Sequence, residues 1–221
     1  MGVLRDYFEA NQGRIIHKWM HYFEIYERHF ERFRGREVHP LEIGVSFGGS
    51  LQMWKHYFGP QAHVYGVDVL PECQRLEEDR VKIFIGDQGN RDFLRHLRAS
   101  IPRIDILIDD GGHRPDQQIP TFEELYPAVA ADGVYLCEDL HTNYFEKFGG
   151  ALRRPDTFIE YSKRLIDQLN AWYTEDPAHF QVDDFTRSAH SMHFYDSVIV
   201  IEKRPMEPPH HRRTGKVPPG S

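Results

Sequence analysis

Short apolar segments that alternate with helical segments constrain the fold of this chain more than any other feature of its sequence. Five segments are apolar and rich in branched residues, as buried parallel strands are, and stretches of crossover length separate them. Two further segments, 189–195 and 197–202, lie close enough together to predict an antiparallel hairpin. The sequence therefore predicts an α/β fold with a mostly parallel seven-stranded sheet, a C-terminal antiparallel hairpin and helices on both faces. The five predicted parallel strands are residues 40–45, 63–69, 81–86, 104–109 and 133–138.

The N-terminal segment has apolar and aromatic residues at helical spacing over residues 14–34, which predicts an amphipathic helix. We expect residues 1–36 to form a helical lid on a single domain of residues 1–203. On this helix, solvated or packed surface positions are expected for His17, Lys18, His21 and Tyr22. Its aromatic residues exceed what one face needs, and this surplus predicts a homo-oligomer, with a dimer favoured. These residues include Trp19, Phe23, Tyr26 and Phe30.

Composition limits the location and the partners of the chain. With 221 residues, of which 40% are hydrophobic, it can bury one sizeable core. A formal net charge of −7 argues against a general nucleic-acid partner, and no apolar run approaches membrane-spanning length. The start of the chain lacks a signal-peptide pattern, and Cys73 and Cys137 are better explained as reduced thiols than as a disulfide. We expect a soluble cytoplasmic domain, followed by a disordered tail over 204–221 that is rich in Pro, His and Arg.

Paired carboxylates end two consecutive predicted strands. Asp109 and Asp110 follow the fourth strand, and Glu138 and Asp139 follow the fifth, with His113 three residues after Asp110. Neighbouring parallel strands end at the same edge of a sheet, so these groups should converge. Clustered carboxylates repel unless a cation lies between them, and Mg²⁺ prefers oxygen ligands. A metal site is favoured over the alternative that these acids are only turn formers or helix caps.

The first strand–loop–helix unit predicts a nucleotide site. Its glycines, Gly44 and Gly48, permit a tight turn and a close backbone approach to a ligand. Asp68 ends the second strand, where it can accept hydrogen bonds from a ribose diol, and Asp87 and Gln88 follow the third, near an adenine edge. No P-loop lysine motif is present, which favours a nucleoside without a phosphate chain. The candidate cofactor-binding residues are Glu42, Gly44, Gly48, Ser50, Asp68, Asp87, Gln88 and Asp109.

These motifs together resemble the Rossmann-like class I methyltransferases that use S-adenosylmethionine (SAM). The paired motifs IDDGGH and EDLHTNYF resemble more particularly the metal-dependent sugar O-methyltransferases of the macrocin and mycinamicin type. The resemblance covers residues 15–203, including the hairpin. The segments that carry it are residues 41–57, 65–69, 108–113, 133–150 and 190–203.

The resemblance implies an Mg²⁺- and SAM-dependent O-methyltransferase that acts on a sugar hydroxyl. Asp110, Glu138 and Asp139 would hold the Mg²⁺, and His113 would remove the proton from the hydroxyl. A sugar or glycoside is the expected partner. The loop that carries Glu138 has three further candidates for contact with the substrate, which are His141, Asn143 and Tyr144. His141 is also an alternative base.

Three other functions remain open from the sequence. A catechol-type O-methyltransferase shares the cofactor and the metal but takes a different acceptor. A cephalosporin-hydroxylase-like relative would differ in the class of reaction. A non-catalytic SAM-binding protein is disfavoured, because it would need none of the acids or the histidine that stand together here.

Overall fold

Seven strands form one sheet in the computed structural model, which describes residues 2–216. In chain order they are β1 (Pro40–Ile43), β2 (Val64–Asp68), β3 (Val81–Ile85), β4 (Ile104–Asp109), β5 (Val129–Cys137), β6 (Ala189–Tyr195) and β7 (Val198–Lys203). The order across the sheet is β3-β2-β1-β4-β5-β7-β6. Strands β1 to β5 are parallel, and β7 pairs antiparallel with both β5 and β6. The predicted fold class is confirmed.

Helices cover both faces of this sheet, and each face has its own apolar core. One core contains side chains from α1 to α3, and the other contains side chains from α4 to α7. The helices are α1 (Val3–Glu9), α2 (Tyr22–Phe30), α3 (Gly49–Phe58), α4 (Arg91–Ser100), α5 (Pro115–Leu125), α6 (Phe158–Leu169) and α7 (Asp184–Ser188). Within residues 2–216, none of them has the length and apolar character that crossing a membrane requires.

Alternation along the strands determines which face each side chain meets. In β4, Ile106 and Ile108 pack in the core under α1 to α3, whereas Leu107, which lies between them, packs in the opposite core. Successive residues of a strand point to opposite faces. The two members of each acidic pair therefore do not have to lie on the same side of the sheet.

The predicted helix over residues 14–34 is wrong in its first part. Residues 11–21, called the strap below, contain no helix, and α2 begins only at Tyr22. Contacts with distant parts of the chain replace the helical hydrogen bonds. Nη1 of Arg14, for example, donates to the carbonyl oxygen of Leu76 at 2.9 Å.

The predicted surplus of exposed aromatic residues is also absent from the N-terminal segment. Phe23, Tyr26 and Phe30 are buried in the first core, and only Trp19 of the group named above is exposed. The pattern therefore no longer supports an oligomer, because most of this apolar surface is used inside the chain.

Other boundaries differ by a few residues. Helix α5 ends at Leu125 because a 3-10 turn containing Pro127 follows it, and β5 begins at Val129, earlier than predicted. Helix α1 lies within the expected lid of residues 1–36 but before its predicted helix over residues 14–34, and helix α7 was not predicted. Residues 204–216 contain no helix or strand, and residues 217–221 of the predicted disordered tail lie outside the described residues. Both cysteines are buried and free.

Candidate active site

A cavity of about 790 Å³ opens at the carboxyl ends of β1 to β4. The strap residues 15–18 form one wall, and the loops that follow the four strands form the others. Such an edge is where ligands bind in open α/β sheets, and the volume is within the range of small-molecule sites. Five predicted cofactor residues line it: Gly44, Ser50, Asp68, Asp87 and Gln88. Three others, Glu42, Gly48 and Asp109, are not among its lining residues.

Gly44 brings two loops together rather than admitting a ligand. Its φ is +98°, and a Cβ atom there would lie 2.1 Å from the carbonyl oxygen of Asp110. The close backbone approach expected from the sequence is therefore made to the loop after β4. Gly48 precedes α3 in a left-handed conformation. The loop after β1 thus fixes the position of the Asp110 backbone.

Asp68 uses most of its hydrogen-bonding capacity within the chain. Its Oδ2 accepts from the backbone N–H of Val45 at 3.0 Å and of Ser46 at 2.9 Å, and its Oδ1 accepts from Leu70 at 2.9 Å. A carboxylate offers about four acceptor positions, so capacity for one further bond remains. In this arrangement, Asp68 can accept one ribose hydroxyl while it orders the glycine loop.

The two residues expected near adenine differ in their availability. Asp87 is exposed on the cavity wall, and its Oδ1 accepts from the N–H of Gly89 at 2.8 Å. Gln88 is buried, and its amide is fully engaged with Asp109, Thr121 and Gly112. Its Oε1 accepts from the N–H of Gly112 at 2.7 Å. The geometry supports a role for Gln88 in holding the loop after β4, and does not support an adenine contact.

Asp109 points away from the cavity. Asp109 lies two residues after Leu107, so its side chain points to the same face of the sheet as Leu107 and away from Asp110. Its carboxylate is buried on that face. Its Oδ1 accepts from Gln88 Nε2 at 3.0 Å, and its Oδ2 has no partner. Burial raises the pKa of Asp109 to about 7, and repulsion from Asp110 adds to the shift. This arrangement does not support a cofactor contact, because a neighbouring pair on a strand cannot turn both side chains to one face.

Three acids, Glu42, Asp110 and Glu138, lie on the face of the sheet that α1 to α3 cover. They do so because they occupy equivalent positions in the alternation of neighbouring strands. Glu42 is aligned with Ile108, which is aligned with Leu136, and Asp110 and Glu138 lie two residues beyond these partners. The strap inserts Lys18 among them. Its Nζ is 2.6 Å from Asp110 Oδ2, 3.0 Å from Glu138 Oε2 and 3.2 Å from Glu42 Oε1. The expectation of a surface position for Lys18 is wrong: its side chain is 2% exposed.

When its three acids are ionised, this cluster carries more negative than positive charge. Burial alone would lower the pKa of Lys18, but Asp110 and Glu138 raise it well above its usual value, so Lys18 remains an ammonium. Burial and repulsion from Asp110 raise the pKa of Glu138 despite the contact with Lys18. One ammonium cannot balance three carboxylates, and a further cation would relieve the remaining repulsion.

The open side of the cluster consists of Asp110, His113 and Asp139. Their side chains are 20%, 22% and 20% exposed, whereas that of Glu138 is 1% exposed. One ligand atom from each of the three lies within 4.8 Å of the others. His113 and Asp139 both have positive φ angles, of 55° and 54°. Strained backbone of this kind tends to cluster at functional sites.

These donors fit a divalent cation. Asp110 and Asp139 supply carboxylate oxygens, and His113 lies beside them with its Nε2 3.5 Å from Asp139 Oδ2. The predicted third acid, Glu138, lies behind them, with one oxygen accepting from Tyr26 OH at 2.7 Å. The structure thus brings two of the three predicted metal ligands together with His113, and places the third beneath Lys18.

The loop after β5 separates its three substrate candidates. Nδ1 of His141 is 2.6 Å from Ser197 Oγ. Asn143 is buried: its Nδ2 donates to Gln118 Oε1 at 2.9 Å and its Oδ1 accepts from Ile159 N–H at 3.1 Å. Tyr144 is exposed. The geometry gives Asn143 a structural role at the start of α6 and leaves His141 and Tyr144 as candidates.

Sequence reasoning did not identify the groups on the N-terminal segment that hold the acids. Besides Lys18, Tyr22 OH donates to Asp139 Oδ1 at 2.7 Å, and Tyr26 OH donates to Glu138. Helical spacing presented Tyr26 only as an apolar residue, and the surface position expected for Tyr22 is wrong, because Tyr22 is buried. The sequence did indicate that such partners must exist, because Glu42 and Glu138 fall on inward-facing strand positions, where a carboxylate needs a partner.

Apolar side chains that are open to water form part of the cavity rim. Phe47 follows β1, and Val69 and Leu70 follow β2, and all three are exposed although they line the cavity. Ile15 of the strap is exposed in the same way. Their position suits the aromatic and apolar surfaces of a bound ligand.

Known proteins with similar sequences are sugar O-methyltransferases of natural-product pathways. A rhamnosyl-tetracenomycin-C 2′-O-methyltransferase of Streptomyces olivaceus is 38% identical over 83% of this chain and 50% of its own length. Demethylmacrocin O-methyltransferase of Streptomyces fradiae is 33% identical over 90% of this chain and 53% of its own length. The chain therefore spans about half the length of the curated relatives it matches. No protein-family model matches it.

The fold also matches a solved structure. The MycE methyltransferase of the mycinamycin biosynthetic pathway, in complex with Mg and S-adenosylhomocysteine (SAH), superposes with a TM-score of 0.81 at 30% identity. The match covers 91% of this chain and 54% of that protein. A further structure of MycE also contains mycinamycin VI.

Proposed function

This chain has the class I methyltransferase fold and is homologous to sugar O-methyltransferases of the macrocin and mycinamicin type, and from this we propose that it methylates a sugar hydroxyl with SAM and Mg²⁺. The observation that carries the proposal is the cluster of Asp110, His113 and Asp139 at the wall of a cavity large enough for a nucleoside. A base and a set of anionic oxygens stand where an acceptor would meet a cofactor.

The cofactor would lie between the strap and the loops after β1 to β3. The loop ordered by Asp68 forms the floor, with one acceptor position of Asp68 left for a ribose hydroxyl. Asp87 would face the adenine, and Phe47 and Leu70 would pack against it. The loop that carries Asp110 borders the same cavity, so an acceptor held by this loop would lie beside the cofactor.

The acidic residues would hold the cation at the end of the cavity. Asp110 and Asp139 are the ligands that lie on the open side, and Glu138 is the predicted third. When bound, the cation supplies positive charge that favours the alkoxide form of an acceptor hydroxyl. Tyr22 holds Asp139 in place through its hydroxyl group.

His113 would act as the base. In the proposed reaction, the acceptor oxygen bonds to the methyl carbon as the carbon–sulfur bond breaks, and the hydroxyl proton passes to His113. SAH then leaves as the second product. A sugar hydroxyl is a weak nucleophile near neutral pH, and a positioned imidazole overcomes this. Because the sulfonium of SAM already carries a good leaving group, the chain has only to align the acceptor oxygen with the methyl carbon.

The acceptor proposed is a sugar carried on a natural product. The relatives are named for rhamnosyl-tetracenomycin and macrocin substrates, and MycE has been solved with mycinamycin VI. A catechol-type acceptor and a hydroxylase-like reaction remain the competing functions, and a panel of acceptors separates them.

The test is methyl transfer from labelled SAM to glycosides, free sugars and catechols. We expect SAH formation and a methylated glycoside by mass spectrometry, loss of activity in EDTA and recovery with Mg²⁺. Asp139→Asn should lose most activity, whereas Asp156→Asn, a change in an exposed acid paired with Arg154, should not. Methylation of catechols alone, or full activity after metal removal, would contradict the proposal.

The location of the protein is also a proposal: we propose that it is cytoplasmic, and sequence composition supports this. The homodimer expected from the sequence stays a prediction. The N-terminal aromatic residues no longer support the dimer, because most of them are buried within the chain. Light scattering that gives 26.1 kDa, the mass of one chain, would refute it.

A further inference from the structure

Lys18 occupies the interior of the acidic cluster although it comes from a segment outside the regular fold. Its ammonium contacts Asp110, both oxygens of Glu138 and one oxygen of Glu42, at 2.6 to 3.2 Å. Among residues 2–216, no other basic side chain forms an ion pair with any of these three acids. Lys18 is therefore the internal cation of this site.

A buried charge of this kind is costly unless its partners compensate for its lost hydration. For Lys18 the partners are three acids on the sheet, while the lysine itself is on the strap. The contact that docks the strap over the cavity is thus also the contact that neutralises the acids. Without an ammonium, these carboxylates would need another cation.

Two of the three acids that hold Lys18 are also predicted ligands of the metal. Glu138 gives both of its oxygens to Lys18, and one of them also accepts from Tyr26. A divalent cation bound directly by Glu138 must take the place of the ammonium there. Asp139 is different, because it forms its hydrogen bond with Tyr22 and has no contact with Lys18.

The strap is anchored on both sides of Lys18, so Lys18 can leave Glu138 while the two ends of the strap stay in place. On one side, Arg14 donates to the carbonyl oxygen of Leu76, and the backbone at Ile15 lies so close to Gly49 that a Cβ atom there would be 2.3 Å away. On the other side, α2 begins at Tyr22. The residues between these anchors contain no helix, and Ile16, His17 and Lys18 line the cavity.

We propose that Lys18 competes with the divalent cation for Asp110 and Glu138, so that the strap is docked when the metal is absent and metal binding releases the lysine from Glu138. This inference rests on the proposed function, since it assumes the metal. It links occupancy of the metal site to the wall of the cofactor cavity, because residues 15–18 form that wall. By linkage, docking of Lys18 weakens metal binding by the factor by which metal weakens docking.

The test measures metal binding directly. EDTA-treated Lys18→Met, Lys18→Arg and wild-type proteins are titrated with Mn²⁺ by calorimetry and by electron paramagnetic resonance. We expect Lys18→Met to bind the metal at least about 10-fold more tightly than wild type, within the usual range of coupling between sites. Lys18→Arg keeps the competing charge and should remain close to wild type. Lys55→Met is the matched control, because it removes a lysine paired with Glu78 elsewhere, and its metal affinity should not change.

Two further readouts keep the outcome clear if Lys18→Met is unstable. Its thermal midpoint should fall in EDTA and recover with Mg²⁺ by more than that of wild type, because the metal replaces the missing charge. Wild-type fluorescence of Trp19, the next residue along, should change as Mn²⁺ saturates the site. Equal metal affinity in wild type and Lys18→Met would overturn the role of Lys18 alone. If neither protein binds metal, both this inference and the metal in the proposed function are overturned.

Discussion

His113 and Asp139 meet across the gap between the loops after β4 and β5, with Nε2 of the imidazole 3.5 Å from Oδ2 of the carboxylate. The other ring nitrogen, Nδ1, is buried and has no partner. A carboxylate beside one nitrogen favours a single ring orientation and tautomer. The contact therefore holds the imidazole beside Asp139, where the proposed base would stand.

Replacing His113 by Ala should lower turnover by about 10²–10⁴-fold, which is the usual contribution of a positioned base. SAM binding should change little, because the lost interaction matters mainly in the transition state. His141→Ala is the comparison, since His141 contacts Ser197 and lies 4.0 Å from Asp139. Steady-state kinetics and calorimetry measure both variants. Near-normal turnover in His113→Ala with loss in His141→Ala would move the base to the loop after β5.

Asp68→Ala should weaken SAM binding for two reasons. The change removes the remaining acceptor for the ribose, and it frees the backbone N–H groups of Val45 and Ser46 that order the glycine loop. A loss of about 1–3 kcal/mol in binding free energy is expected, the scale for hydrogen bonds to a charged group. Calorimetry with SAH measures this loss. An unchanged affinity would mean that the cofactor does not lie on this loop.

Asp109 should make the stability of the protein depend on pH. Burial raises its pKa to about 7 in the folded state, against about 3.9 when unfolded. Below pH 4 both states hold the proton, and between about pH 4 and pH 7 only the unfolded state releases it, so the stability that the neutral carboxyl contributes is lost over this range. The difference should be on the order of 2–4 kcal/mol. Asp109→Asn should remove this slope.

Urea denaturation in EDTA at pH 5 and pH 8 measures the effect. Wild type should be less stable at pH 8 than at pH 5. The free energy of unfolding of Asp109→Asn should therefore increase relative to that of wild type as the pH rises. The same slope in both proteins would show that Asp109 is ionised in the folded state.

Asn143→Ala should reduce stability without changing substrate recognition. Its amide joins Gln118 to the first turn of α6, and its loss leaves the N–H of Ile159 without its side-chain partner. We expect a loss of about 1–3 kcal/mol in the free energy of unfolding, and an unchanged KM for the acceptor. Tyr144→Ala, in an exposed neighbour, is the control for stability. A raised KM with unchanged stability in Asn143→Ala would restore its predicted contact with the substrate.

The strands could be predicted because their apolar runs are local features. All seven predicted strands are present, and the glycine loop and the loops carrying Asp110 and Asp139 lie at the expected edge of the sheet. The strap could not be predicted in this way. Its helical spacing is real, but residues 11–21 form no helix, and Arg14 and Lys18 bind to a carbonyl group and to carboxylates far away in the chain.

The details of the site depend on contacts between residues far apart in the chain. Alternation on the strands separates Asp109 from Asp110, and this could have been predicted from spacing alone. The contacts of Gln88 with Thr121 and of Asn143 with Gln118 could not, because these partners lie on a helix whose register the sequence does not specify. Lys18 is 92 residues from Asp110 and 120 from Glu138, so only the folded chain reveals their contact.

The apolar rim formed by Phe47, Val69 and Leu70 has a thermodynamic consequence. These side chains face water on the cavity wall, and a nucleoside that covers them would remove that apolar area from solvent. Burial of such area makes the heat capacity of binding negative. The binding enthalpy of SAH should therefore become more favourable with each rise in temperature, although its hydrogen bonds to Asp68 stay the same.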